Sequence, residues 1–404
     1  MAAGEPTHGE ASSRNRRALL REILLSGPIS RTDIGARVGL TAGAVSRIVR
    51  PLLDASLVRE TTERRDDLPA RPGRRTSPLE IDPRGGQVLG IGIGPSIQTV
   101  VLSDIGNGVI AGTELNLDVI DDPDLMIRSV ARESRRLIGA HLDDRSRLLG
   151  GLMMITGPVD PVKGSTPGAP YLGWGPYPLR ARLADVLDVP MTVRSMTATI
   201  ASAELRFGVT RKRKNVLTFL CGLGVGVAVI LDGRLIEGGS LPTGGIGAME
   251  VTGEDGVATT LDHAGAGLGI LRRLHGDDMS PVHATISVSA PALRAAIERD
   301  RAGDAEVAEC MDMAGRGLGR VVLEFSRFAM PETVLIAGPL SMSPSYMAAI
   351  AESIERQEAM GPVEVIASTV TGPVSGWSAS CAMAVWEYLI ERPLDLARFH
   401  VRRE

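Results

Sequence analysis

The run Asp33-Ile34-Gly35-Ala36-Arg37-Val38-Gly39-Leu40-Thr41-Ala42-Gly43-Ala44-Val45-Ser46-Arg47-Ile48-Val49 decides how the front of this chain is built. Ser30 caps a short helix just before it, with Asp33 standing where a capping box usually carries Glu. Ile34, Ala36 and Val38 lie within that helix, and Gly39 supplies a tight turn. Thr41 caps the next helix, which carries Val45, Ile48, Val49, Leu52 and Leu53. The small Ala36 is expected to let the two helices approach, with Val45 and Ile48 facing inward. Thr41, Ala42, Ala44, Ser46, Arg47 and Arg50 are then left outside, and Arg31 at the start of the preceding helix joins them. This is the pattern of a helix-turn-helix whose polar face fits a DNA major groove. A plain helical hairpin is the competing reading, and the turn and the polar face speak against it.

Upstream, Leu19, Leu20, Ile23, Leu24 and Leu25 form an apolar stripe on a helix running from residue 15 to the break at Ser26-Gly27-Pro28. Residues 1–14 are small and polar, and a disordered tail is expected there. Downstream, Leu57–Glu60 and Pro78–Ile81 predict two short strands around a stretch rich in Arg, Asp and Pro. That is the pattern of a wing. Its tip carries Arg71, Arg74 and Arg75, which can enter a narrow minor groove; a charged linker is the alternative. A winged helix-turn-helix over 15–82 and a linker over 83–87 follow.

Charge agrees with a polyanionic partner at this end. Residues 1–86 hold 15 Arg and no Lys against 11 Asp and Glu, a net +4, so the overall −4 leaves −8 for the rest. Only Lys163, Lys212 and Lys214 are lysines, an Arg bias that a GC-rich genome also explains. Cys221, Cys310 and Cys381 stand too far apart for a disulfide framework or a Cys-rich zinc site, and six scattered His add no metal cluster. No signal peptide is expected. Val216 to Leu231, the longest apolar run, is short for a membrane span and is interrupted by Gly222, Gly224 and Gly226. A cytoplasmic protein without metal or cofactor is expected.

From Val88 onward, apolar strand runs alternate with helical segments, the signature of α/β layering. Strands are predicted at Val88–Ile93, Ile97–Leu102, Leu148–Ile155, Met191–Val193, Val216–Cys221, Val225–Leu231, Val334–Ala337 and Val363–Ala367. Helices are predicted at Leu125–His141, Leu179–Leu187, Ala198–Phe207 and Trp377–Ile390.

With the helix-turn-helix and basic wing in front, several turns recur in a telling order. They include Gly90-Ile91-Gly92-Ile93-Gly94, Gly157-Pro158-Val159-Asp160, Leu172-Gly173-Trp174 and Ala203-Glu204-Leu205-Arg206-Phe207-Gly208. Gly222-Leu223-Gly224-Val225-Gly226, Asp232-Gly233-Arg234-Leu235 and Ala337-Gly338-Pro339-Leu340-Ser341 follow. One Gly-rich turn is a weak signal; together, over residues 15–395, they resemble the ROK family of repressors, open reading frames and sugar kinases, in its repressor branch. The resemblance implies an α/β chain: a winged helix-turn-helix followed by a two-lobed actin/hexokinase-like (ribonuclease-H-like) ATPase fold, with a cleft for sugar and nucleotide. The first lobe would comprise 88–200 with 377–404, and the second, for dimerisation and sensing, 201–376.

The chemistry of the kinase branch is missing. Where the family has an Asp opening the first phosphate turn, this chain has Gly92, and the turn continues as Pro95 and Ser96, proline removing an amide donor. The family's Asn-Asp-Ala-Asn stretch reads Met196-Thr197-Ala198-Thr199, so Thr197 replaces a general base worth roughly 10²–10⁴ in rate. The Gly-Glu-Ile-Gly-His stretch reads Gly244-Gly245-Ile246-Gly247-Ala248, and Tyr171 replaces the Asn before Leu-Gly-Trp. The three-cysteine zinc motif is absent from Val251 to Gly267, leaving His263 without ligand partners. Tyr171, Met196, Thr197, Gly245 and Ala248 are the candidate effector-cleft residues. They offer few donors for a polyol, so the cleft takes a less polar effector or is closed and structural.

The expectation is a sequence-specific regulator, by family default a repressor, that binds a double-stranded operator as a homodimer or homotetramer and phosphorylates nothing. Two other classes compete: a sugar kinase with an appended DNA-binding module, and an interaction protein controlled by a protein partner without any ligand.

Overall fold

The computed structural model describes residues 8–62, 77–115, 120–237, 245–254, 256–276, 282–355, 363–369 and 375–399. The front unit comprises helices α1 (His8–Ser26), α2 (Arg31–Val38) and α3 (Ala42–Asp54), then strands β1 (Val58–Glu60) and β2 (Leu79–Ile81). β1 and β2 pair antiparallel, and Ile29 adds a bridge to Leu79, giving the root of a wing. The wing tip, with Arg71, Arg74 and Arg75, lies outside the described residues.

Two five-stranded sheets follow, built alike. The first runs β5-β4-β3-β6-β7 and comprises β3 (Gln87–Gly94), β4 (Ile97–Asp104), β5 (Val109–Glu114), β6 (Leu148–Ile155) and β7 (Met191–Ser195). β3, β4 and β5 form an antiparallel meander, and β6 and β7 then add in parallel beside β3. Helices α4 (Pro123–His141) and α5 (Leu179–Val186) make the parallel crossovers. α6 (Met196–Phe207) leads to the second sheet, β10-β9-β8-β13-β14. Its strands are β8 (Val216–Cys221), β9 (Val225–Leu231), β10 (Arg234–Leu235), β13 (Thr333–Ala337) and β14 (Glu364–Ala367). Here too an antiparallel meander is followed by two parallel strands. A small hairpin, β11 (Glu250–Thr252) with β12 (Ala258–Thr260), precedes helices α7 (Leu261–Gly265), α8 (Gly267–His275), α9 (Val282–Arg301) and α10 (Ala305–Ala329). α11 (Pro344–Glu355) links β13 to β14. The repeated meander-plus-parallel plan is the two-lobed architecture expected.

α12 (Ser375–Val385) continues as a π-helical turn, Trp386–Glu391, and returns to pack on β3, β4 and β6 of the first sheet. Gly150 makes room for it: a Cβ there would lie 2.3 Å from the ring of Tyr388.

Three expectations need correction. α1 begins at His8, so residues 8–14, expected to be disordered, are helical; the helix-favouring Ala11 and Arg14 lie within it. α6 is unbroken from Met196 to Phe207, so a lobe boundary at residue 200 falls inside a helix. The segment 83–87 is a packed joint: Pro83–Gly85 form a 3₁₀ turn, Gly85 is buried, and Arg147 donates to the carbonyls of Ala55 and Gly85 at 2.9 and 3.0 Å.

Candidate nucleic-acid interface and interlobe cleft

The helix-turn-helix is fixed by its caps. Ser30 Oγ accepts from the Asp33 amide at 3.1 Å, and Thr41 Oγ1 from the Ala44 amide at 3.3 Å, each satisfying an amide with no intrahelical partner. Gly39 turns the chain with φ +69°, in the left-handed region. Close approach of α2 to α3 rests on Gly35, whose Cβ would lie 2.8 Å from the Leu40 carbonyl oxygen; Ala36, expected to fill that role, is exposed.

α3 buries Val45, Val49 and Leu52 and leaves Thr41, Ala42, Gly43, Ser46, Arg47 and Arg50 exposed, with Ala44 and Ile48 half-buried. Arg47 forms no ion pair with another described residue. Arg50 pairs with Asp54 at 3.2 Å, its side chain 79% exposed, a contact that is weak in water and readily exchanged for a phosphate. Arg31 differs. Its side chain is only 21% exposed, pairs with Glu60 at 2.5 Å and donates to the Ser77 carbonyl at 3.3 Å. It braces the wing root, so its guanidinium is already committed.

The cleft residues fall into two groups. Met196 and Thr197, at the start of α6, are buried. Met196 sits over Gly94, where a Cβ would lie 3.1 Å from its Cε, and its sulfur accepts from Thr156 Oγ1 at 3.8 Å. A Cβ on Gly92 would meet Thr99 Oγ1 at 3.1 Å and Met154 Cε at 3.2 Å. Thioether methyls and a threonine thus surround the place where a phosphate turn would need donors and a carboxylate.

The second group gathers around Asp262, a residue that no sequence motif marks. Tyr171 Oη donates to Asp262 Oδ2, and the Val225 amide donates to Oδ1 at 2.8 Å. The Asp262 amide bonds to the Gly247 carbonyl at 2.9 Å, which brings in the loop of Gly245 and Ala248, both exposed. A Cβ on Gly224 or Gly247 would strike the Tyr171 hydroxyl or the Asp262 carboxylate at 2.0 Å. Burial raises the Asp262 carboxyl above the usual carboxylate range, and the bonds from Tyr171 and Val225 oppose the rise. The same burial, with Asp262 alongside, pushes the Tyr171 phenol up. Tyr171 lies in a 3₁₀ turn whose next residue, Leu172, belongs to the first lobe's core, whereas Tyr171 packs on the second lobe's core. The Tyr171–Asp262 bond therefore spans the lobes, as does the Arg194–Glu237 pair at 2.6 Å.

A sequence profile for winged helix-turn-helix DNA-binding units matches residues 12–59. The Mlc transcriptional repressor of Escherichia coli K12 is 24% identical over 371 residues, covering 89% of each chain. The NagC dual regulator of the same organism is 23% identical, covering 86% of this chain and 85% of its own. Among solved structures, a ROK family transcriptional regulator described as a homologue of the E. coli MLC protein superposes with a TM-score of 0.73 at 21% identity. It covers 96% of this chain and 99% of its own. A ROK family glucokinase from Streptomyces griseus superposes with a TM-score of 0.60 at 18% identity, over 74% of this chain and 99% of its own, a likeness of fold alone. The ROK family profile matches residues 136–381, more than half the sequence, and the chain belongs to the ROK family.

Proposed function

We propose that the chain is a DNA-binding transcriptional regulator, a repressor, that reads a palindromic operator as a homodimer and does not phosphorylate sugars. One observation carries the reading: α3 stands on a buried spine of Val45, Val49 and Leu52 and presents Thr41, Ala42, Ser46, Arg47 and Arg50 to solvent. A capped helix with small residues at its start and arginines farther along suits insertion into the major groove, bases read by the first turns and phosphates by the arginines. Arg71, Arg74 and Arg75 of the wing are assigned to the adjacent minor groove. A two-fold related pair would span half-sites about 10 base pairs apart or a multiple of that.

The absence of kinase activity is supported by the cleft. Thr197 cannot serve as a base near neutral pH, Gly92 has no carboxylate for a metal, and Met154 and Met196 occupy the surrounding space. The Tyr171–Asp262 bond favours a cleft held shut in the unliganded protein, so that an effector would act by binding an open arrangement better than the closed one.

Genome-wide mapping of bound DNA, followed by titration of the recovered fragments at moderate ionic strength, tests the reading. Recovery of a palindromic site bound far more tightly than random DNA is expected. Failure to bind any genomic fragment, or sugar-dependent ATP turnover that disappears in a Thr197 variant, would overturn it.

A further inference from the structure

The two ends of α6 meet different parts of the molecule. Its first turn carries Met196 against the cleft, and its last turn carries Arg206 and Phe207 against Trp386. The Arg206 guanidinium lies 4.5 Å above the indole, and the rings of Phe207 and Trp386 meet edge-on at 6.3 Å.

The two partners in that contact belong to different lobes. α6 follows the second lobe: Ala201 packs with Val216 and Leu335, and the buried Glu204 carboxylate accepts from Ser368 Oγ at 2.6 Å and the Thr369 amide at 2.7 Å, beyond β14. Tearing a buried carboxylate from its donors is costly, so the Glu204 turn of α6 is anchored to that lobe, while Met196, Ile200 and Ala203 of the same helix pack against α12 and the first lobe. Trp386 follows the first lobe, since α12 is packed on β3.

α1 of the winged helix is seated on both. Arg21 lies 5.9 Å above the Trp386 ring, and Arg17 donates to the Glu391 carbonyl at 3.2 Å, on the first-lobe side. Arg211, just past α6, donates to the Leu25 carbonyl at 2.5 Å on the second-lobe side. The segment that carries Arg211 is held to the second sheet by the Arg213–Glu364 pair and by the Lys214 amide on Glu332. Leu20 and Ile23 of α1 share one continuous apolar cluster with Ile200 and Ala203 of α6 and with Leu389 of the π-helical turn.

We propose that the winged helix straddles the seam between the lobes, so that any rotation of one lobe on the other re-aims it through α6, Trp386 and Arg211. The DNA-binding unit is then not a tethered bead but the readout of lobe closure. A π-helical turn at the seat suits this role, such turns being frequent at functional sites. The proposal relies on the regulator reading only in naming DNA as what α3 addresses.

Hydrogen–deuterium exchange on the full chain tests it without DNA. Tyr171→Phe cuts one bond across the cleft with little change of shape, and Asp262→Ala cuts it from the other end. Each should raise exchange at α1 amides by about fivefold, the low end of allosteric coupling. Adding Arg211→Ala, an exposed change with little folding risk, should abolish that increment. Unmoved α1 exchange in both cleft variants, or the same increment without Arg211, would overturn the proposal. Because no DNA enters the measurement, a protein that binds no operator could still pass it, which keeps the two readings separable.

Discussion

Gly35→Ala is the sharpest probe of how the helix-turn-helix is held. The new Cβ would lie 2.8 Å from the Leu40 carbonyl oxygen and 3.5 Å from Val45 Cγ2. Intrinsic propensity favours the change, because Ala in a helix interior is about 1 kcal/mol better than Gly. The collision opposes it. The obstructing atom is backbone, and the Leu40 amide is itself bonded to the Gly35 carbonyl at 2.9 Å, so no rotamer change relieves the clash and α2 must shift against α3. Overpacking of this kind costs about 1–3 kcal/mol, leaving a net destabilisation of about 1 kcal/mol. Hydrogen exchange across α2 and α3 should therefore speed up about fivefold, the factor that corresponds to about 1 kcal/mol of stability. Ala36→Leu is the control: Ala36 is exposed, so exchange should hardly change. If Gly35→Ala slowed exchange while Ala36→Leu accelerated it, the helices would meet at residue 36 and this account of the motif would be wrong.

Other outcomes follow from the same geometry. Arg47→Ala should weaken operator binding and lower its salt slope by about one with no change in unfolding, measured by fluorescence titration at several salt concentrations and by thermal melts; undiminished affinity would remove α3 from the groove. Arg31→Ala should speed exchange in β1 and β2, because the bonds to Glu60 and Ser77 vanish; an unchanged wing root with weakened DNA binding would instead put Arg31 on the DNA. Replacing Arg74 and Arg75 with Ala should lower the salt slope of binding by about one for each phosphate no longer neutralised, and an unaltered slope would take the wing off the DNA. Asp262→Asn should flatten the dependence of stability on pH. A carboxyl raised by burial contributes stability below its unfolded value, about 3.9, and loses it as pH rises through the folded value. Denaturant midpoints of wild type should thus fall upward from about pH 4 relative to Asp262→Asn, and parallel curves would show that the group does not titrate as argued.

Much of the fold was legible because its strongest elements announce themselves. β6 and β9 are continuous apolar runs and β8 is interrupted only by Thr218, and Leu148–Ile155, Val216–Cys221 and Val225–Leu231 are found with the boundaries the sequence predicts. β5 was not foreseen, since Val109, Ile110, Thr113 and Glu114 do not alternate and most of the strand is exposed. α10 hides for another reason. Part of its buried face is Gly315, Gly317, Gly319 and Ser326, which pack by closeness rather than by apolar bulk, so a hydrophobic count undervalues it. At the candidate DNA face the caps and turn were readable locally, whereas the choice between Gly35 and Ala36 depends on the angle between two helices. Asp262 and Trp386 were out of reach because their meaning lies in partners distant in sequence, Tyr171 for one and Arg21 and Arg206 for the other.

The missing chemistry in the cleft and the bonds across the seam are physically connected. A kinase cleft must open and close at each turnover, so strong bonds between its lobes would slow product release. On the proposed reading, in which Thr197 and Gly92 leave the cleft without turnover, that constraint lapses, and bonds such as Tyr171–Asp262 and Arg194–Glu237 can hold the lobes in one arrangement. A resting arrangement that is well defined is what a DNA reader needs, because the proposed homodimer would have to present its two α3 helices at a fixed angle and spacing. The same bonds set how strongly an effector must discriminate. Shifting a closed form from 99:1 to 1:99 takes about 5.5 kcal/mol of differential affinity, so each interlobe bond cut should lower that requirement and leave the protein easier to release from its operator.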